Sequence, residues 1–134
     1  MLEYRDHITR EMLRAEPEKL FVFGDNFQRK GFGGQAKEMR GEPNAIGIPT
    51  KTEPTMKDQA FLSDDMSEAW GVFSGKAITT LLAFDGVIVW PKAGIGTGLA
   101  QLPKRAPRIW RAIERLRIGL EHSTSDITTY LNVQ

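Results

Sequence analysis

The sequence predicts an α/β fold, a three-layer α/β/α sandwich around a mostly parallel central sheet. Three short apolar runs rich in β-branched and aromatic residues, at 20–23, 45–48 and 87–90, are typical of buried strands. Segments with helical periodicity separate these runs, and that alternation favours parallel pairing through crossover helices. The 134 residues show no internal repeat and no domain boundary, so residues 1–134 are expected to form a single domain.

The first half of the chain is predicted to contain two helices between its strands. Asp6 is a candidate N-cap for a helix that ends at residue 15. A short helix is predicted over 35–40, where Gly41 can end it in a left-handed cap. The strand that begins at residue 45 is predicted to close at Pro49.

The second half is predicted to contain two longer helices. Apolar residues at helical spacing indicate one that is capped by Ser63 or Asp64 and reaches residue 81. Another is predicted over 102–120, with Pro107 early enough in it to be tolerated. Residues 127–133 are either an edge strand or a frayed tail.

The composition excludes several classes of mechanism. The chain has no cysteine and only two histidines, His7 and His122, which rules out thiolate nucleophiles and zinc-finger sites, and no metal or cofactor is expected. It shows no secretory leader and no apolar run of membrane-spanning length, so a cytoplasmic location without a membrane partner is predicted. The net charge is +1, so any attraction to nucleic acid has to be local.

Two glycine-rich segments follow predicted strands, at 24–34 and 94–98. Ligands of open α/β sheets bind outside the carboxyl ends of the strands. Glycines at alternate positions of the second segment remove three side chains, so backbone N–H groups can approach an anion such as a pyrophosphate. Leu99 stands where a P-loop needs lysine, and the spacing does not match the dinucleotide fingerprint. The simpler alternative is a tight strand-to-helix turn.

Polar chemistry in the first segment comes from Asp25 and Asn26. Asp25 can accept a hydrogen bond from an amine or hydroxyl, and Asn26 can both donate and accept. The alternative that these residues only form an Asx-turn stays open. Phe27 and Phe32 flank the loop, where stacking on an adenine or a ribose is one interpretation and burial is the other.

Three segments in order, 22–36, 45–51 and 91–103, resemble the macrodomain family, small α/β modules that bind ADP-ribose. The first is similar to that family's asparagine motif and glycine-rich stretch, and the third to its diphosphate loop. The middle segment is similar to a strand of compact, often phage-encoded macro-like proteins. The resemblance extends over residues 20–115.

This resemblance implies that the chain binds ADP-ribose or a related nucleotide diphosphate between the two glycine-rich segments. It implies that the backbone of 94–99 holds the diphosphate, and that Asn26 and the backbone of 31–34 surround the distal ribose. The implied ligand-binding residues are Gly24, Asp25, Asn26, Phe32, Gly33, Gly34, Gln35, Gly94, Ile95, Gly96, Thr97, Gly98 and Leu99.

ADP-ribosyl hydrolase activity is an extension of the same resemblance. Ala36 and Ala100 stand where hydrolases of the family often carry an acid, so the usual catalytic apparatus is not carried over. The candidate catalytic residues are Asp25, Asn26 and Lys51. Without a loop acid, hydrolysis needs a water activated by Asp25 or by the substrate phosphate. The sequence therefore supports binding more directly than turnover.

A basic segment gives an alternative function. Residues 104–117 carry six basic side chains opposed only by Glu114. Four of them, Lys104, Arg108, Arg111 and Arg115, share one face of the predicted helix, which favours a nucleic-acid or protein interaction module that uses Arg108, Arg111 and Arg115. The simpler interpretation is a solvated outer face, and a third is that the glycine-rich segments are scaffolding only.

Overall fold

The computed structural model describes residues 1–122 and contains a four-stranded sheet in which every pairing is parallel. The strands are β1 (Leu2–Arg5), β2 (Leu20–Asn26), β3 (Ala45–Lys51) and β4 (Ile88–Pro91), in the order β1-β4-β2-β3. The helices are α1 (Arg10–Ala15), α2 (Ala36–Met39), α3 (Ser67–Ala83), α4 (Leu102–Arg105) and α5 (Pro107–Glu121). Two single 3₁₀ turns, Asp58–Ala60 and Asp64–Met66, precede α3.

Alternate side chains of the sheet enter two separate apolar layers. On one face, Phe21, Phe23 and Val89 pack with Leu13 of α1 and Met39 of α2. The other face packs against α3, α4 and α5 through a larger cluster that includes Val22, Ile48, Trp90, Leu81, Leu102, Ile109 and Ile113. Burying large apolar side chains on both sides of the sheet is the main source of stability in such a fold. The predicted three-layer α/β/α sandwich is confirmed.

The described chain begins with a strand where the sequence predicted none. β1 pairs with β4, and α1 starts only at Arg10. Its N-cap is Thr9, whose hydroxyl oxygen accepts the N–H of Met12 over 3.3 Å, so the predicted helix start at Asp6 was wrong. His7 has a φ of +50°, which cannot continue a right-handed helix.

The predicted helix starts in the second half also need correction. α3 begins at Ser67, after a 3₁₀ turn. Asp64 does not cap it; its carboxylate accepts the N–H of Arg108 over 2.9 Å, at the start of α5. The predicted last helix is divided at Ala106, because Pro107 has no N–H and its ring clashes with a preceding helical turn. Pro107 therefore begins a helix.

β3 does not close at Pro49 but continues to Lys51. It is an edge strand, and proline is tolerated there because one side of the strand has no partner. Asp25 pairs with Pro49 while Asn26 pairs with Lys51, which leaves Thr50 as an extra residue in β3.

Among residues 1–122, no helix combines the length and the apolar character that crossing a membrane requires. The predicted strand or tail at 127–133 lies outside the described residues.

Candidate functional site

Both glycine-rich segments leave adjacent strands toward opposite faces of the sheet. After β2, the first glycine loop (residues 27–35) leads to α2, which packs in the same layer as α1. After β4, the second glycine loop (residues 92–101) leads to α4 and α5 in the other layer. Adjacent parallel strands whose connections diverge leave a crevice at their carboxyl ends. The candidate site predicted from the sequence falls at this position.

A cleft of about 810 Å³ lies between the two glycine loops. This volume falls in the range of about 300–1,000 Å³ that is usual for small-molecule sites. All but one of the implied ligand-binding residues line it: Gly24, Asp25, Asn26, Phe32, Gly33, Gly34, Gln35, Gly94, Gly96, Thr97, Gly98 and Leu99. The exception is Ile95, whose side chain is buried in the core, so only its backbone can contact a ligand.

The sequence did not predict the contribution of a third loop (residues 52–57), which follows β3. Glu53, Pro54, Thr55 and Met56 of this loop line the same cleft. The first and third loops touch, because a Cβ on Gly31 would stand 2.8 Å from Cβ of Pro54, and Gly31 has a φ of +90°. In the sequence, the only indication of this loop was a long segment between β3 and α3 that lacks helical or strand periodicity.

The second glycine loop offers a row of free backbone donors. Within the described part of the chain, the N–H groups of residues 95–100 donate to no protein acceptor. Two hydrogen bonds of 2.9 Å hold the loop, from Gly94 N–H to the carbonyl of Pro91 and from Leu102 N–H to the carbonyl of Gly96. Gly94 and Gly96 have φ values of +97° and +83°, on either side of Ile95 with negative φ. Such alternation produces a concave nest of N–H groups that suits an anion.

The first glycine loop is also open at its backbone. The N–H groups of residues 31–35 have no acceptor within residues 1–122. Gln35 anchors the end of the loop, where its side-chain oxygen accepts the N–H of Gly24 over 3.2 Å. A Cβ added at Gly33 or Gly34 would meet no atom within 4 Å, so the loop leaves free space above the sheet.

Two arginines hold the carboxylate of Asp25. The Asp25 side chain is only 2% exposed, and it accepts from Arg40 over 2.5 Å and from Arg29 over 3.4 Å. It also accepts the backbone N–H of Asn26 over 2.8 Å. Because both carboxylate oxygens are engaged by guanidinium donors, the geometry favours a structural counter-ion over the general base considered from the sequence.

The two residues that follow Asp25 are engaged within the protein. Asn26 is 6% exposed, and its side-chain amide donates to the carbonyl of Lys30 over 2.8 Å, which closes a turn through an N–H donor and not through the accepting oxygen of an Asx-turn. Phe27 stacks on Phe73 with ring centroids 4.2 Å apart, so a ligand-stacking role for Phe27 was wrong. Phe32, in contrast, is exposed and lines the cleft.

Lys51 enters the cleft from the end of β3. Its ammonium donates to the carbonyl of Thr55 and lies 5.0 Å from the centre of the Phe61 ring. Burial lowers the pKa of Lys51 below its usual value, and the nearby charge of Glu53 offsets this only in part. An anion in the cleft would favour the charged form of this lysine.

The basic surface of α5 is smaller than the sequence predicted. Arg108, Arg111 and Arg115 are exposed and form no ion pair with any residue in 1–122. Arg105 instead lies 3.7 Å over the ring of Phe61, and Arg117 is paired with acidic residues of its own helix. None of the three free arginines lines the cleft.

Comparison with known proteins identifies the family of this chain. No curated protein and no solved structure matches it. A model described as "Family of unknown function (DUF7831)" matches residues 3–116, which include β2, β3, β4, all of β1 except Leu2, and the three loops around the cleft. Because this match covers well over half of the sequence, the chain belongs to that family of unknown function.

Proposed function

We propose that this protein binds a nucleotide diphosphate of the ADP-ribose class in the cleft between its glycine loops. One observation carries the proposal: the consecutive N–H groups at 95–100 have no protein acceptor in the described chain and belong to a loop that lines the cleft. A nest of this kind suits the closely spaced oxygens of a diphosphate. The volume of the cleft suits a ligand of nucleotide size.

The charges around the cleft support an anionic ligand. Arg40 is neutralised by Asp25, which leaves Lys30 and Lys51 against the single carboxylate of Glu53. The unbalanced positive charge attracts phosphate, and partial burial strengthens that attraction relative to open water.

ADP-ribosyl hydrolysis in the same cleft needs an activated water. Asp25 is engaged by arginines and Asn26 closes a turn, which leaves Lys51, Glu53 and the substrate phosphate as the groups in the cleft that can move a proton. The proposal is therefore one of binding, and turnover of ADP-ribosylated protein or nucleic acid is the assay that extends it.

Calorimetric titration of the parent chain and of the Gly98→Glu variant with ADP-ribose, ADP and NAD tests the proposal. Gly98 lines the cleft, has no positive φ and would place a Cβ in open space, so the fold accepts the new side chain. Its carboxylate would repel a diphosphate, and we expect affinity to fall at least about tenfold, or about 1.4 kcal/mol.

Gly71→Glu is the matched control, because Gly71 lies exposed in α3 with open space around it and outside the cleft. The nucleotide affinity of Gly71→Glu should equal that of the parent chain. Absence of heat with every nucleotide, or equal binding by Gly98→Glu and Gly71→Glu, would contradict the proposal.

A second candidate function is nucleic-acid binding through the free arginines of α5. The observation that favours it is the absence of any ion-pair partner for Arg108, Arg111 and Arg115 within residues 1–122. Anisotropy titrations with poly(U) should then show an affinity that falls steeply with salt and is lost when all three are changed to Glu. Gly98→Glu should leave the affinity for poly(U) unchanged. A loss of affinity in Gly98→Glu, or an unchanged affinity in the triple Glu variant, would contradict this second function.

A further inference from the structure

Each of the three loops places one exposed apolar side chain on the cleft. Phe32 of the first loop is 65% exposed, Met56 of the third is 54% exposed and Leu99 of the second is 67% exposed. A single exposed apolar residue is ordinary, but three around one site mark a surface for an apolar group. We call these three residues the apolar rim.

The apolar rim has surfaces on both sides of the first loop. β2 lies between β3 and β4, so the third and second loops emerge on either side of the first. The contact between Gly31 and Pro54 joins the first and third loops, which bear Phe32 and Met56. Leu99 belongs to the other side and lies within the row of free N–H groups at 95–100. The apolar surface therefore adjoins the anion-binding backbone.

The polar side chains of the cleft are largely committed to the protein. Thr55 donates to Glu53 over 3.1 Å, and Thr97 donates to a main-chain carbonyl of its own loop over 2.5 Å. The side-chain oxygen of Gln35 and the side-chain amide of Asn26 each hold backbone of the first loop or of β2. These groups are poorly placed to read the hydrogen-bonding edge of a base.

We propose that the apolar rim holds the face of a purine base whose diphosphate lies on the second glycine loop. This inference rests on the proposed function, adds the specificity of the site, and places the base beside residues 31–34, where the macrodomain resemblance implied the distal ribose. Phe32 offers a ring for stacking, Met56 a polarisable thioether and Leu99 an aliphatic surface, and none of the three donates a hydrogen bond. The side chains of the rim contact the area of the ring and not its edge, so we expect adenine and guanine to bind equally and pyrimidines to bind less tightly.

Calorimetry with ADP, GDP, UDP, CDP and inorganic pyrophosphate tests this specificity. We expect the affinities for ADP and GDP to agree within about threefold and to be about tenfold higher than those for UDP and CDP. The affinity for pyrophosphate should be lower than that for any of the four nucleotides. A preference of tenfold or more for either purine would show edge recognition and overturn the inference. Tighter binding of an oligoadenylate than of ADP would overturn its assignment to a free nucleotide.

Phe32→Ser and Leu99→Ser locate the base. Both side chains are largely exposed, so the fold does not depend on them. Each variant should lower the affinity for ADP toward that for pyrophosphate, and Phe32→Ser, which lies outside the row of N–H groups at 95–100, should leave pyrophosphate binding unchanged. Val72→Ser is the control, because Val72 is 77% exposed on α3 and lies outside the cleft.

The two proposals fail in different ways. Pyrophosphate binding with no gain from a base, or an equal loss of pyrophosphate and ADP in Phe32→Ser, overturns the base site and leaves the diphosphate site standing. Absence of binding by pyrophosphate and by every nucleotide overturns both.

Discussion

Arg40 donates to Oδ1 of Asp25 over 2.5 Å and, from the same guanidinium, to the carbonyl of Gly31 over 2.7 Å. These bonds tie the residue that ends α2 to the carboxyl end of β2 and to the first glycine loop. Because the Asp25 side chain is almost completely buried, this ion pair fixes the loop more firmly than a surface pair would.

Arg40→Gln should destabilise the protein and loosen the first glycine loop. The change leaves a buried carboxylate with Arg29, at the longer distance, as its only cationic partner, and we expect a loss of about 2–3 kcal/mol. Urea denaturation measures the loss, and hydrogen exchange should become faster at residues 31–35. Arg14→Gln is the control, because Arg14 is 68% exposed and its pair with Glu42 contributes less than about 1 kcal/mol. Equal effects of the two changes would contradict the anchoring role of Arg40.

Gly47→Ala should destabilise the protein through a clash with Asp25. A Cβ at position 47 would stand 2.5 Å from Oδ2 and 2.7 Å from Cβ of Asp25, so the ion pair or β3 has to shift. Overpacking of this kind costs about 1–3 kcal/mol. Gly71→Ala, in the open interior of α3, should instead stabilise by up to about 1 kcal/mol. Thermal unfolding that shows the same sign for both variants would disprove the clash.

Ligand binding should take up protons at alkaline pH through Lys51. Burial lowers the pKa of Lys51 from 10.5, so the unfolded chain binds more protons than the folded one between the two values. At lower pH the buried ammonium of Lys51 reduces the stability of the folded state. This cost is relieved as pH rises from the folded pKa toward 10.5. A phosphate nearby restores the charged form, and calorimetry in buffers of different ionisation enthalpy should detect the uptake. Lys51→Met should abolish it; uptake that persists in this variant would place the proton elsewhere.

Glu16→Gln should reveal an acid-sensitive link between β1 and the end of α1. Hydrogen bonds from Arg5 and then Lys19 lower the pKa of Glu16 from 4.5 to about 2. The stability that this carboxylate contributes is present above pH 4.5 and is lost as pH falls toward 2. The variant should therefore be less stable by about 1 kcal/mol at pH 7 and equal to the parent chain near pH 2. A stability difference that does not change with pH would contradict this origin.

Local patterns in the sequence were sufficient for the layers and for the position of the cleft. Apolar runs marked β2, β3 and β4, and parallel strands bring the segments that follow them to one edge of the sheet. The two glycine loops therefore meet for reasons of topology. The same reasoning did not reveal β1, since four residues are too few for an alternating pattern to be distinguished from a turn.

Partners that are distant in the sequence account for the other errors. Asp25 looked like a free acid because nothing local indicates that Arg40, fifteen positions later, would neutralise it. Asp64 looked like the cap of the helix that follows it, yet it accepts a hydrogen bond from Arg108, in a helix on the far side of β4 in the sequence. Phe27 looked available for a ligand, yet Phe73 of α3 stacks on its ring.

The chain diverges after β2 and β4, yet the two walls of the cleft are not independent. The first glycine loop leads to the layer of α1 and α2, and the second leads to the layer of α4 and α5. Phe27 of the first loop nevertheless stacks on Phe73 of α3, a helix that packs in the same layer as α4 and α5. Repacking on either face of the sheet can therefore move the first wall, so the shape of the cleft depends on both layers at once.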